Sequence, residues 1–271
     1  MPRRPARWLL SGWCVTALLG LAACEPGHTP FPDGEIVDLS HTYDETTVFW
    51  PTADGFQLEV ESAGYTDKGY YYAANNFSTS EHGGTHLDAP IHFAEGAPAT
   101  DEIPLERLVG PGVVIDVSAA CTDDADYQID VADVTRWERA NGQTVDGMIV
   151  LFRTGFAERW PDVARYLGTA ERGAEAVAKL HFPGLHPELA AWLVAERDVK
   201  AVGLDTASID YGQSTLYETH QILFKAGIPA FENVANVSRL PASGFSVVAL
   251  PMKIGGGSGG PLRIIAIVPP A

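Results

Sequence analysis

Residues 81–93 read EHGGTHLDAPIHF, a stretch that sharply limits how the chain can fold. Gly83, Gly84 and Pro90 rule out a continuous helix, because inside one glycine costs about 1 kcal/mol and proline about 3 kcal/mol relative to alanine. The polar residues His82, His86, Asp88 and His92 are separated only by even numbers. Side chains of an extended chain alternate between faces, so this spacing predicts one polar face, with Thr85, Leu87, Ala89 and Ile91 on the other. The first face can converge on an ion and the second can enter a core. Gly83 and Gly84 leave space beside the polar residues for backbone or a substrate.

Arg3, Arg4 and Arg7 form a basic region before an apolar run, residues 8–23, that is too short and too poorly flanked for a membrane span. This pattern predicts a signal peptide over residues 1–23. Leu21-Ala22-Ala23-Cys24 resembles the bacterial lipobox, in which the cysteine is lipidated and becomes the mature N-terminus. The expectation is export to the bacterial cell envelope, a lipid anchor at Cys24, and a Pro/Gly-rich tether over residues 24–34. Simple cleavage after Ala23 without lipidation is the alternative.

Removing the signal leaves 271 − 23 = 248 residues, enough for one large domain spanning residues 35–271. Cys121 is then the only thiol outside the signal and its anchor, so no intramolecular disulfide is expected. The net charge of −17 becomes −17 − 3 = −20 once the three signal arginines are gone. Such a surface argues against nucleic acid as a partner and against membrane contact by any route except the anchor. A homo-oligomer is left open.

Apolar runs and helical patterns alternate, which predicts an α/β fold in a single domain. Valine- and isoleucine-rich strands are expected at residues 35–39, 112–117, 147–153, 199–204, 246–251 and 262–268. Asp130 can cap a helix over residues 131–140, with Asp133 in the capping-box position and Gly142 after the end. Further helices are expected over residues 187–196, opened by Pro187, and over residues 214–225, closed by Gly227. The glycine cluster at residues 255–260 lacks the Lys-Ser/Thr ending of a phosphate loop and reads as a flexible turn. Asp205, at a strand end, suits the holding of a loop.

His82, His86 and Asp88 form an imidazole, imidazole and carboxylate set that suits a divalent ion such as Zn²⁺ or Mn²⁺. A hydrogen-bonded polar face is the plain alternative. An ion held this way lowers the pKa of bound water from 15.7 toward roughly 7 and polarises a carbonyl. His92 is on the same face beyond the set, where it can move a proton, ligate a metal or support a ligand. His220 shares a helical face with Leu216, Leu223 and Phe224, and that pattern alone favours a buried structural histidine.

The run from His82 to Phe93 resembles the HxGTHxDxPxHF signature of the cyclase family of metal-dependent hydrolases, which includes bacterial kynurenine formamidase and isatin hydrolase. Val37-Asp38-Leu39-Ser40-His41, Leu151-Phe152-Arg153-Thr154-Gly155 and Val202-Gly203-Leu204-Asp205-Thr206 resemble further family elements. The resemblance implies a swivelling β/β/α fold with a mixed sheet and flanking helices. It implies one or two divalent ions, the second held by His220 and Glu232 with Asp88 bridging. It assigns His92 to proton transfer and Trp50, before Pro51, to the substrate pocket, where core packing is the other reading. The implied reaction is hydrolysis of a carbon–nitrogen bond in a small amide, arylformamide or cyclic amide. The competing expectation is a lipid-anchored metal- or solute-binding protein, which has no need of His92.

Overall fold

The computed structural model describes residues 33–270, so the signal peptide, Cys24 and most of the tether anticipated above lie outside the described residues. The principal strands are β1 Glu35–Asp38, β2 Gln57–Tyr65, β3 Tyr71–Ser78, β4 His86–Asp88 and β5 Val109–Asp116. They continue with β6 Ile149–Arg153, β7 Ala201–Leu204, β8 Ala230–Glu232, β9 Phe245–Pro251 and β10 Gly259–Val268. The principal helices are α1 Val131–Asn141, α2 Pro187–Glu196 and α3 Glu218–Lys225. Eight strands join in the order β1-β10-β9-β5-β6-β7-β8-β4, and the start of β10 also pairs with β4, so the sheet closes on itself. Strands β5 to β8 run parallel to one another and the other neighbours are antiparallel, giving a mixed sheet.

Strand alternation divides the core in two. Leu87, Val114, Ile149, Leu151, Phe231, Val247 and Ile264 fill the space enclosed by the sheet. Their neighbours Val113, Ile115, Val150, Phe152, Val202 and Leu204 face outward and pack against Val134 and Trp137 of α1, Leu189 and Leu193 of α2, and Leu223 of α3. Each such side chain contributes about 1.5–3 kcal/mol on burial. The same alternation aims His86 and Asp88 on β4, and Glu232 on β8, away from the enclosed core and toward α3.

Helix α1 has the anticipated capping box: Asp133 N donates to Asp130 Oδ1 and Asp130 N to Asp133 Oδ2, both at 3.1 Å. Gly142 follows it with φ 64°, in the left-handed region that glycine tolerates. Helix α3 starts at Glu218 instead of residue 214. The preceding residues form turns instead, with Ser214 N donating to Tyr211 O at 2.9 Å and Tyr217 N to Ser214 Oγ at 3.1 Å. The stretch around His82 also departs from continuous extension. Only residues 86–88 are strand, and Pro90, which has no N–H for a ladder, opens a 3₁₀ turn through His92.

Strands β2 and β3, absent from the sequence reading, form a separate hairpin. Their register puts Leu58 opposite Phe77, Ala63 opposite Ala73 and Tyr65 opposite Tyr71 on one face, with Gln57, Glu59, Asn76 and Ser78 on the other. A bulge between Val60 and Ser62 keeps this sorting in phase. Leu58, Val60, Tyr65, Tyr71 and Phe77 are all exposed.

Candidate metal centre and active-site cavity

Four segments converge on one point. Strand β4 supplies His86 and Asp88, and its pairing with β8 sets Glu232 directly opposite His86. Helix α3 contributes His220 from its first turn. His82 enters from the bend before β4, where Gly83 bridges to Phe49. Gly84 makes this bend with φ +57°, and a methyl group there would stand 2.6 Å from the Tyr43 ring. Tyr43 in turn reaches the carbonyls of Gly83 and Thr85 at 2.6 and 2.7 Å. The space left by the two glycines is therefore filled by the rings of Tyr43 and Phe49, and not by substrate.

The five groups form two triads that share Asp88: His82, His86 and Asp88, and Asp88, His220 and Glu232. His82 Nδ1 lies 2.6 Å and His86 Nε2 3.1 Å from Asp88 Oδ1, while His86 Nε2 is 3.4 Å from Glu232 Oε2. His220 Nε2 lies 3.2 Å from Asp88 Oδ2 and 3.2 Å from Glu232 Oε1. Ligands bonded at about 2.0–2.2 Å to a common ion stand roughly 3.0–3.5 Å apart, which most of these separations match. His86 Nε2 is buried without a hydrogen-bond partner among the described residues, a costly arrangement unless it binds something. The donor set therefore fits a divalent cation.

Each imidazole commits its other nitrogen elsewhere. His86 Nδ1 donates to Gly84 O at 2.9 Å, His220 Nδ1 donates to Asp210 Oδ2 at 2.5 Å, and His82 Nε2 lies 2.9 Å from Ser258 Oγ. Such outer contacts fix the tautomer and free the inner nitrogen as a ligand. The electrostatics point the same way. Burial opposes charge on His86, yet Asp88 and Glu232 outweigh it and push the pKa up to about 9. His220 is raised well above its ordinary value, its burial overcome by Asp210, Asp88 and Glu232. Burial raises Glu232, and the charge of Asp88 raises it further. Two adjacent buried carboxylates thus demand positive charge between them.

His92 comes from the 3₁₀ turn and stacks on His82, ring centroids 3.9 Å apart and 18° from parallel. It makes no side-chain hydrogen bond among the described residues, and burial, aided by the neighbouring histidines, lowers its pKa to about 4. The imidazole is therefore neutral at neutral pH, with a ring lone pair not committed to any side-chain hydrogen bond among the described residues. Above the cluster lies a cavity of about 400 Å³ lined by Phe49, Trp50, Phe93, Tyr217, Ser208 and Asn233. Trp50 meets Tyr217 edge-on at 6.4 Å and Phe182 at 6.3 Å, so it serves both the cavity wall and the packing behind it.

Asp205 accepts from Thr154 N, Thr154 Oγ1 and Gly155 N at 2.6–2.9 Å, holding a loop as its position suggested. Among the histidines without a sequence pattern, His41 stacks on Trp160, His181 pairs with Asp126 and His186 caps α2. The sequence reading missed Asp210, Ser258 and Glu81. Asp210 had the signal of a carboxylate after a strand; the other two had none, because 177 residues separate them.

A closed mixed sheet carrying a His/Asp/Glu cluster at the floor of an aromatic cavity defines a metal-binding α/β enzyme scaffold. The cyclase family model matches residues 37–211. The chain belongs to the cyclase family of metal-dependent hydrolases. It is 31% identical to isatin hydrolase of Roseibium aggregatum over 215 residues, covering 76% of this chain and 79% of that protein. It is 28% identical to kynurenine formamidase of Salinibacter ruber, covering 85% of this chain and 96% of the relative. The structure of isatin hydrolase A from Labrenzia aggregata bound to benzyl benzoate superimposes with a TM-score of 0.78 at 34% identity, over 87% of this chain and 94% of that one.

Proposed function

We propose that the chain is a metal-dependent hydrolase that cleaves the carbon–nitrogen bond of a small aryl amide, arylformamide or cyclic amide, with His92 moving the proton. The relatives named isatin hydrolase and kynurenine formamidase support the amide bond. The observation that carries the reading is the convergence of three imidazoles and two carboxylates beneath an aromatic cavity, with a free imidazole beside them. A divalent ion bound there supplies Lewis acidity and water activation near neutral pH. His82, His86 and Asp88 would hold one ion, and Asp88, His220 and Glu232 would hold a second where two are bound. Oxygen- and nitrogen-donor sets of this kind accept Zn²⁺ and Mn²⁺ alike. Phe93, Tyr217 and Trp50 hold the substrate ring over the site and keep water from its faces. Neutral His92 takes a proton from water and returns it to the departing nitrogen. His86→Ala is expected to remove most metal and activity together; full metal occupancy in that variant excludes His86 as a ligand.

The enzyme works at the cell envelope, anchored through Cys24, a reading supported by the basic start and the Leu-Ala-Ala-Cys sequence. It also self-associates. An isolated two-stranded hairpin is marginal in water, and the exposed apolar face of β2 and β3 gains stability when a second copy covers it. Light scattering is expected to show a dimer or larger species that Leu58→Lys with Phe77→Lys breaks apart. A wild-type monomer overturns this part.

A further inference from the structure

Behind His82, on the side away from the cluster, two groups 177 residues apart in the chain meet. Ser258 Oγ lies 2.9 Å from His82 Nε2 and 2.6 Å from Glu81 Oε2, and Ser258 N donates to the same carboxylate oxygen at 3.0 Å. The glycine cluster makes this meeting possible. A methyl at Gly259 would stand 2.6 Å from His82 Cε1, and one at Gly257 would stand 2.8 Å from Glu81 Oε1. The loop is also held in place. Thr100 Oγ1 donates to Gly257 O at 2.9 Å, Gly256 N donates to Asp101 Oδ1 at 2.8 Å, and Gly259 and Gly260 already pair with β4. It is a pinned part of the site and not the flexible turn read from its composition.

We propose that Glu81 and Ser258 form a positioning pair that sets the tautomer of His82 and so governs the affinity of the ion that His82 holds. The polarity of the chain is forced. Ionised Glu81 can only accept, so the single proton of the Ser258 hydroxyl goes to it. Ser258 Oγ is left to accept from His82 Nε2, so when an ion replaces the 2.6 Å contact between His82 Nδ1 and Asp88 Oδ1 the ring keeps its Nε2 proton and offers the Nδ1 lone pair to the ion. Without Glu81 the hydroxyl can turn round and donate to Nε2. The proton then moves to Nδ1, where it blocks ligation. Neither Glu81 nor Ser258 lines the cavity, and the proposal rests on the reading of His82 as a metal ligand.

The test is Co²⁺ titration of the metal-stripped full chain, with His82→Ala as the reference. Ser258→Ala and Glu81→Ala are each expected to weaken, by roughly 10- to 100-fold, the binding phase that His82→Ala abolishes. Any phase that His82→Ala leaves intact should stay within about threefold, which also shows that the variants are folded. Ser258→Thr, which keeps the hydroxyl, should restore wild-type affinity. In ¹⁵N spectra of Zn²⁺-loaded protein the His82 proton should sit on Nε2 in wild type, and Glu81→Ala should lower the fraction of His82 in that state. Wild-type affinity in Ser258→Ala, with the His82-dependent phase present in wild type, overturns the positioning role alone. A wild-type titration lacking any phase that His82→Ala removes overturns the ligand reading beneath it.

Discussion

Asp210 is expected to couple the stability of the fold to the second half of the metal site, and Asp210→Asn tests both effects. Its Oδ1 accepts from Thr219 N at 3.2 Å and Ser214 Oγ at 3.3 Å; its Oδ2 accepts from His220 N at 3.2 Å and His220 Nδ1 at 2.5 Å. All four partners are donors, so an amide must point its NH₂ at two of them whichever way it turns. If the NH₂ faces Ser214, that hydroxyl can rotate and accept, but the Thr219 amide loses a charged acceptor, about 1.5–3 kcal/mol. The bonds that survive become neutral and weaken by about 1 kcal/mol each, for a total near 3–5 kcal/mol. If the NH₂ faces His220, the ring must move its proton to Nε2, which then cannot ligate. Thermal unfolding of metal-stripped protein should show a Tm lower by roughly 10 °C. Calorimetric titration should show the ion held by His220 bound about 10- to 100-fold more weakly. Asp210→Asn with wild-type Tm and wild-type affinity would falsify this reasoning.

Three other perturbations probe separate parts of the account. Gly84→Ala puts a side chain at φ +57° and within 2.6 Å of Tyr43, and urea unfolding should show a loss of about 2–4 kcal/mol. His41 has its pKa lowered by burial from 6.5 to about 4, so the unfolded chain binds its proton first. Its contribution is complete above pH 6.5 and falls by about 1.4 kcal/mol per pH unit down to about pH 4, roughly 3 kcal/mol in all; His41→Phe should flatten that part of the stability profile. Cys24→Ser should leave an unlipidated or uncleaved precursor, and mass spectrometry of wild-type protein without an acyl chain on Cys24 contradicts the anchor.

The strands and α1 and α2 were legible because their signals are local: branched apolar runs, a capping box, a proline at a first turn. His86 and Asp88 were legible for the same reason, since strand period alone sorts them from Leu87. His92 reached the site for a reason other than phase, because Pro90 ended the strand and the 3₁₀ turn carried the ring back over His82. His220 and Glu232 could be paired only through family resemblance. Their proximity depends on β8 lying in register with β4, which no local pattern encodes. The hairpin was missed although Leu58 and Val60 alternate with polar residues, because the bulge shifts the period midway through β2 and the run Tyr70-Tyr71-Tyr72-Ala73-Ala74 in and before β3 shows no alternation. Ser258 was hidden by its glycines, whose composition suggests looseness where the fold uses them for close approach to His82 and Glu81.

The central claim is that His92 moves a proton at a metal site it does not help to build. The most direct measurement is bound metal and steady-state turnover of an aryl amide, determined in parallel on wild-type and His92→Ala protein. The account predicts unchanged metal content, a KM within a few-fold of wild type, and a kcat lower by roughly two to four orders of magnitude. Loss of metal from His92→Ala, or turnover at the wild-type rate with metal in place, contradicts it.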